Sequence, residues 1–257
     1  MTITVTQICR YPVKGLSAEL LEKVALAVDK GLPGDRRFAI AHGSSALPAE
    51  IADWVPKTSF LALVKNERLA ALETAFDEAS GVLTIKRGGK PVARGKLTDR
   101  IGRTLIEEFF AAYMASEARG KPKLVQAAPE RSISDHRDCV VSLINLASLR
   151  DLGRVVGGPV DPIRFRGNVY IDGGSPWQEF TWVDQEIAIG GARLKVTTRI
   201  DRCAATNVNP ATAARDLNIP QALQRGFGHV DCGVYARVIA AGTVAVGDAV
   251  APPGAQA

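Results

Sequence analysis

Residues 98–114, TDRIGRTLIEEFFAAYM, decide how this 257-residue chain is organised. Ile101, Leu105, Phe109 and Met114 recur near helical spacing, and Thr98 stands where an N-cap hydroxyl belongs. The spacing predicts an amphipathic helix over 98–114 in a chain that otherwise favours strands. Upstream, short apolar runs at 3–8, 24–28, 36–41, 60–64 and 82–86 are separated by Gly/Pro turns at 12–15, 31–34 and 87–89. Leu69, Leu72 and Phe76 add a short helix over 67–78. Downstream, a helix over 145–152 stops at Gly153, and strands are expected at 168–171, 186–189, 193–197, 233–239 and 243–250. Strands and helices do not alternate as βα units. The expected class is therefore α+β and β-rich, a barrel or sandwich lobe over 1–97 followed over 98–257 by another closed β-structure with peripheral helices. The Pro/Gly/Ala-rich tail after Val250 is expected to fray.

Composition narrows the function classes. With 46% hydrophobic and 23% charged residues the chain is an ordinary globular protein, neither disordered nor fibrous. Its net charge of +5 suits an anionic ligand, but the basic residues are scattered, without the blocks or aromatic interleaving of a nucleic-acid surface. No apolar run is long enough to span a membrane and the N-terminus lacks a signal-peptide pattern, so a cytoplasmic location is expected. The four cysteines, Cys9, Cys139, Cys203 and Cys232, are far apart, which favours free thiols and cannot build a plant-type iron–sulfur cluster.

Residues 199–210, RIDRCAATNVNP, hold the segment richest in chemistry. A strand breaks there into a polar loop, with Cys203 beside Arg202 and near several amide donors, a setting that favours a thiolate acting as metal ligand or nucleophile. Three other readings stay open on these residues: a packed structural cysteine, a zinc site with His229 and Cys232, and a Cys–His pair using His42, His136 or His229. Neither a phosphate-binding P-loop nor a dinucleotide glycine fingerprint occurs.

Five segments taken in order go further. They are Tyr11-Pro12-Val13-Lys14-Gly15, Gly34-Asp35-Arg36-Arg37-Phe38, Arg164-Phe165-Arg166-Gly167-Asn168, the 202–210 loop, and Gly233-Val234-Tyr235-Ala236 with Gly247-Asp248. Together the chain resembles MOSC-domain proteins, a family that includes an amidoxime-reducing branch and the C-terminal domain of molybdenum cofactor sulfurase. The resemblance implies a MOSC N-terminal β-barrel-like domain over 1–97 and a MOSC barrel over 98–257. It implies that Cys203 is the catalytic centre's protein ligand to the metal of a molybdenum–molybdopterin cofactor, a soft donor joining the pterin's own sulfurs. Lys14 and Arg36 would grip the cofactor's phosphate, Arg166 its pterin or phosphate, and Asn168 would order the strand beside it. Arg202, Thr206 and Asn207 from the cysteine loop, with Asp138 and Asp201, complete the implied set.

By the same resemblance, the expected reaction is reduction of a small N-hydroxylated substrate. The electrons would come from a separate ferredoxin-like, flavodoxin-like or cytochrome b5-like partner with its reductase. The alternative is a non-catalytic carrier of molybdenum cofactor, or of sulfur as a Cys203 persulfide formed without pyridoxal phosphate on this chain. Gly15 and Asp201 stand where the amidoxime-reducing branch commonly has serine, and Asn209 where it has aspartate.

Overall fold

The computed structural model describes residues 2–254. Among these, the first half holds β1 (Ile3–Arg10), β2 (Glu19–Leu21), β3 (Lys23–Leu26), β4 (Phe38–Ala41), β5 (Glu50–Ile51), β6 (Glu73–Asp77), β7 (Val82–Arg87), β8 (Lys90–Lys96), α1 (Arg100–Met114) and β9 (Lys123–Ala127). The second half holds β10 (Val141–Asn145), α2 (Leu146–Val156), β11 (Val169–Asp172), β12 (Glu186–Ile189), β13 (Ala192–Asp201), α3 (Ile219–Phe227), β14 (Asp231–Ala240), β15 (Gly242–Ala245) and β16 (Ala249–Ala251).

A seven-strand barrel forms the larger lobe. Its strands run β1-β11-β10-β14-β13-β12-β16 and close because β1 bonds β16 through Ile3 and Thr4 and β11 through Thr4 to Ile8. Among these pairs only β10–β11 is parallel. Residues of period two, such as Ala192, Leu194 and Val196 on β13, point inward to meet Val5, Val234 and Ala236. Towards its end β13 slips register against β14 between Val196 and Thr198 and again between Arg199 and Asp201. Such bulges turn a strand away from the sheet, and here they deliver Asp201 to Cys203 onto the barrel rim.

The smaller lobe is a β6-β7-β8 meander and a β4-β9-β5 sheet around Phe38, Ile40, Leu83, Ile85, Phe110 and Leu124. The class expected from sequence, α+β and β-rich with a barrel and peripheral helices, is the class of the structure. Hydrogen bonding crosses residue 97 in both directions: β1 completes the barrel of the second half, and β9 pairs with β4 and β5 of the first.

Helix α1 exists but presents a different face from the one its apolar spacing predicts. Asp99, not Thr98, caps it, its Oδ1 accepting from Gly102 N at 2.7 Å. The buried stripe is Gly102, Ile106, Phe110 and Met114, while Ile101 and Leu105 are exposed. The cause is steric. A Cβ on Gly102 would lie 2.2 Å from the Lys96 carbonyl, so the glycine is where helix and β8 touch. Elsewhere, 60–64 is irregular apart from a Phe60–Ala41 bridge, and 67–78 is a 3-10 turn (Glu67–Ala71) leading into β6. Helix α2 passes Gly153 and ends at Gly157, whose φ of +80° makes the left-handed cap. Strand β16 runs through Ala251 and a turn follows; residues 255–257 of the tail lie outside the described residues. No described helix is long and apolar enough to cross a membrane.

Beneath α2, the fully buried Glu179 carboxylate accepts from Asn145 Nδ2 at 2.8 Å and from Ser148 Oγ at 2.9 Å. Burial raises its pKa and these donors only partly offset the rise. A carboxyl whose folded pKa is raised loses stability as pH climbs from the unfolded value, near about 4.3, through the folded one. Glu179→Gln is expected to raise the melting temperature at pH 8 relative to wild type and to leave it unchanged at pH 4. Equal shifts at both pH values would remove the carboxylate's ionisation as the cause.

Candidate functional site

One cleft between the lobes gathers nine of the ten residues singled out in the sequence: Lys14, Arg36, Asp138, Arg166, Asn168, Asp201, Arg202, Cys203 and Thr206 all line it. Asn207 does not. Its side chain accepts from Ile219 N at 2.9 Å, at the entrance to α3. The chain reaches the cleft through turns. Gly15 follows Lys14 with φ of +84°, and a Cβ there would press on the Leu61 carbonyl at 3.1 Å, so a serine at this position would be strained. Arg36 and Arg166 also hold positive φ, +50° and +52°. Non-glycine residues hold that conformation only where the surroundings enforce it.

Cys203 is half-buried and starts the 3-10 turn Ala204–Asn207. Its carbonyl accepts from Thr206 N at 3.1 Å and from Thr206 Oγ1 at 2.9 Å, so the buried Thr206 fixes the loop with its hydroxyl. Arg202 departs from the role its adjacency suggests. Its guanidinium donates to the carbonyls of Cys232 and of Phe165 (3.0 Å), tying β13 to β14 and to the 162–165 turn. Asn168 is likewise committed: Oδ1 accepts from Ser142 Oγ at 2.8 Å and Nδ2 donates to Cys9 O at 3.3 Å, joining β10, β11 and β1.

Arg36 and Arg166 both lie over the buried ring of Tyr11, at 5.0 and 4.2 Å, and Arg36 Nη2 donates to Arg166 O at 2.9 Å. Burial opposes the Arg36 charge, but Asp35, bonded to Nη1, outweighs it and holds the guanidinium more firmly protonated. Arg166 has no carboxylate partner; its Nη1 donates to Leu16 O at 2.8 Å, Nη2 has no partner, and burial lowers its pKa.

Four cleft residues carry no signal of their own in the sequence. Asp135 receives Lys14 Nζ at 2.5 Å and faces Lys57 Nζ at 3.6 Å. Lys57 comes from the 3-10 turn after Pro56; burial disfavours its charge, but Asp135 above all, with Cys203 and Asp201, raises its pKa, and like Cys203 it lines the cleft. Ser132 has a buried hydroxyl without a partner, and Trp54, under Arg137 at 4.8 Å, stands at the rim. None of the four lies in a strand or an α-helix, so no periodicity marks them before the lobes pack. The residues of the zinc reading fall elsewhere: Cys232 is fully buried, and His229 is packed against Trp177, Phe180 and Phe227. No described group of three or more His, Cys, Asp or Glu is arranged for a metal.

Burial would raise the Asp135 pKa, but Lys14, Lys57 and Arg36 outweigh it and hold the carboxyl well below the usual range. A depressed folded pKa contributes stability above the unfolded value, about 3.9, that is lost as pH falls through the folded one. Asp135→Asn is therefore expected to cost about 1–2 kcal/mol at pH 7, less than a fully buried pair because of screening. The Asp135 side chain is 45% exposed. The gap from wild type should narrow below about pH 4 in denaturant titrations; a gap constant down to pH 2 would contradict the pairing.

Two family models match: the MOSC N-terminal beta barrel domain over residues 2–121 and the MOSC domain over residues 130–251. Mitochondrial amidoxime reducing component 2 of Bos taurus is 30% identical over 126 residues, 44% of this chain and 37% of that protein. The same component of Rattus norvegicus matches with the same identity and coverage. The chain thus spans little more than a third of these curated relatives, 37% of their length. Among solved structures, the YUAD protein of Bacillus subtilis aligns over 97% of this chain and 94% of its own, at 13% identity and a TM-score of 0.45. YiiM of Geobacillus stearothermophilus aligns over 44% and 53%, at 17% identity and 0.35. Covered by the two models from residue 2 to residue 251 apart from a short gap, the chain belongs to the family of MOSC-domain proteins, which is associated with molybdenum cofactor.

Proposed function

We propose that the cleft holds a molybdenum cofactor with Cys203 as the protein's thiolate ligand, and that the chain reduces N-hydroxylated compounds. The observation that carries this reading is a half-buried thiol in a cleft lined by eight cationic side chains against five carboxylates. The residues fit such a group on three counts. Cys203 is a soft donor, suited to a metal that already has sulfur ligands. Arg166 Nη2 and Ser132 Oγ are buried polar atoms without protein partners, which an anionic, oxygen-rich ligand would satisfy. Lys14 and Arg36 supply fixed charge, held by Asp135 and Asp35.

When bound, the cofactor supplies the two-electron redox centre. Cys203 would hold the metal through its thiolate, and Thr206 keeps the Cys203 backbone in place. Arg36 and Arg166, stacked over Tyr11, would take phosphate oxygens, with Lys14 and Lys57 as point charges beside them. Asp138 and Asp201, both exposed, stand on the open side, where a small substrate would enter. The overall reaction converts an N–OH group, two electrons and two protons into N–H and water. The electrons come from a separate redox protein, as the expected partner classes provide.

Molybdenum and pterin analysis of freshly isolated protein tests the cofactor, with near-equal stoichiometry expected. Reduction of an N-hydroxylated amidine by the loaded protein with a chemical reductant tests the reaction. Loaded protein that does not turn over but restores a cofactor-free molybdoenzyme would establish the carrier reading instead; absence of both metal and pterin after expression with molybdate would overturn the proposal.

A further inference from the structure

Arg215 joins the loop that carries Cys203 to the opposite lobe. A tight turn places it there. Asn209 Oδ1 accepts from Ala211 N at 2.9 Å, Asn209 N donates to Ala214 O at 2.7 Å, and Val208 and Arg215 form an antiparallel bridge. The chain therefore leaves the loop at Val208 and comes back beside it at Arg215. From that position the guanidinium divides its donors between the lobes. Nη1 donates to Ala204 O at 2.8 Å, one residue after the thiol. Nη2 donates to Leu63 O at 3.0 Å and Val64 O at 3.1 Å and meets the Glu67 carboxylate at 3.0 Å, all three in the smaller lobe.

The other bonds of the loop stay on its own side. Arg164, from the 162–165 turn, holds the Thr206 and Asn207 carbonyls at 3.5 and 3.1 Å, and Asn207 accepts from Ile219 N. Among the described residues, no hydrogen bond runs directly from residues 203–208 to the smaller lobe. Packing leaves a gap as well, because one cavity is lined both by Ala205 and Val208 of the loop and by Leu63, Leu69 and Leu72 of the smaller lobe. An arginine fork suits such a gap. Its donors point in fixed directions from one rigid plane, whereas an ammonium is a single point charge.

We infer that Arg215 is a positioning residue for the cleft, its fork setting how far the Cys203 thiol stands from Lys14, Arg36 and Lys57 on the wall of the smaller lobe. Without the fork the loop keeps its own turn, through Thr206 and Arg164, but loses its reference to that wall. The consequence for chemistry rests on the reading of Cys203 as metal ligand; the placement of the thiol does not.

Two variants, Arg215→Ala and Arg215→Lys, test this in the full chain before and after cofactor loading. The Arg215 side chain is 32% exposed, so both are expected to fold. Before loading, iodoacetamide is expected to alkylate Cys203 about ten-fold faster in Arg215→Ala than in wild type, the low end for losing hydrogen bonds to a charged group. Cys139, which lines the same cleft, should keep its wild-type rate. Arg215→Lys should follow Arg215→Ala, since an ammonium keeps the charge but cannot bond both walls at once. Arg150→Ala, which breaks an exposed pair with Asp172 on α2, controls for lost stability alone and should change neither rate. After loading, both Arg215 variants should alter the electron paramagnetic resonance signal of the metal and lower kcat about ten-fold at unchanged KM, the scale for disturbing a residue that orients a metal ligand. A wild-type rate at Cys203 in Arg215→Ala, wild-type behaviour of Arg215→Lys, equal acceleration at Cys203 and Cys139, or an unaltered metal signal would each overturn the assignment. A chain that takes up no molybdenum would sink the cofactor reading instead, and the alkylation rates would still decide the role of Arg215.

Discussion

Cys203→Ser is expected to abolish molybdenum-dependent reduction of an N-hydroxylated substrate while leaving the melting temperature within a degree or two of wild type. The side chain is half-buried at a barrel rim, and the loop that carries it is fixed by backbone and Thr206 bonds rather than by the thiol. Removing the sulfur therefore costs the fold little. Serine keeps the size and loses the soft donor, so the loss of activity should exceed the roughly 10–100-fold that accompanies loss of an outer-shell partner at metal sites. The other cysteines sharpen the comparison. Cys9 and Cys232 are fully buried, and burial pushes the Cys232 thiol up to about 12, so both are packing residues whose loss should lower stability and spare the chemistry. Cys139 is the stricter control, because it lines the same cleft. Activity and molybdenum content measured for all four serine variants separate the cases. Retained turnover in Cys203→Ser, or an equal loss in Cys139→Ser, would remove the ligand assignment.

The parts of the site that could be read from sequence have local physical reasons. Lys14, Arg36 and Arg166 sit in or beside left-handed backbone that restricts the residues around them, whereas Cys203 has extended backbone and stands out by the polar loop that follows it. Lys57, Ser132 and Asp135 are not legible, since they lie in a short 3-10 turn or in loops and meet the cleft only once the lobes are packed. The fold shows the same division. Strands with period-two burial were legible, but the face of α1 was not, because its contact begins at Gly102, a residue that adds nothing to an apolar stripe. Helix α3 carries little signal in the sequence: it has only nine residues and is defined by Asn218, Pro220 and Gly228 rather than by a long repeat. The contacts of Arg202 are not legible in the sequence for another reason. Adjacency in the chain says nothing about where a long side chain points, and this one turns to the Cys232 and Phe165 carbonyls.

Arg36 is the residue where charge and shape can be separated by experiment. Its guanidinium bonds Asp35, donates to Arg166 O at 2.9 Å and covers Tyr11 at 5.0 Å. Asp35 is itself buried, its Oδ1 accepting from Tyr11 N at 2.8 Å, so removing the cation leaves a carboxylate with one backbone donor in a poorly solvated place. Arg36→Gln is accordingly expected to cost about 3 kcal/mol or more, the scale for breaking a buried pair from one side. Arg36→Lys keeps a positive charge near Asp35 but loses the planar fork and the stacking, and its stability cost should be about 1 kcal/mol. Cofactor retention should not follow stability. A lone ammonium cannot offer bidentate geometry to a phosphate while still bonding Asp35, so Arg36→Lys is expected to lose molybdenum about ten-fold faster than wild type during gel filtration at raised salt. Molybdenum content and denaturant melts measured on both variants give the answer. If Arg36→Lys retained cofactor like wild type while Arg36→Gln lost it only in proportion to unfolded protein, Arg36 would be a structural partner of Asp35 alone, and the phosphate would have to be held by Lys14, Lys57 and Arg166.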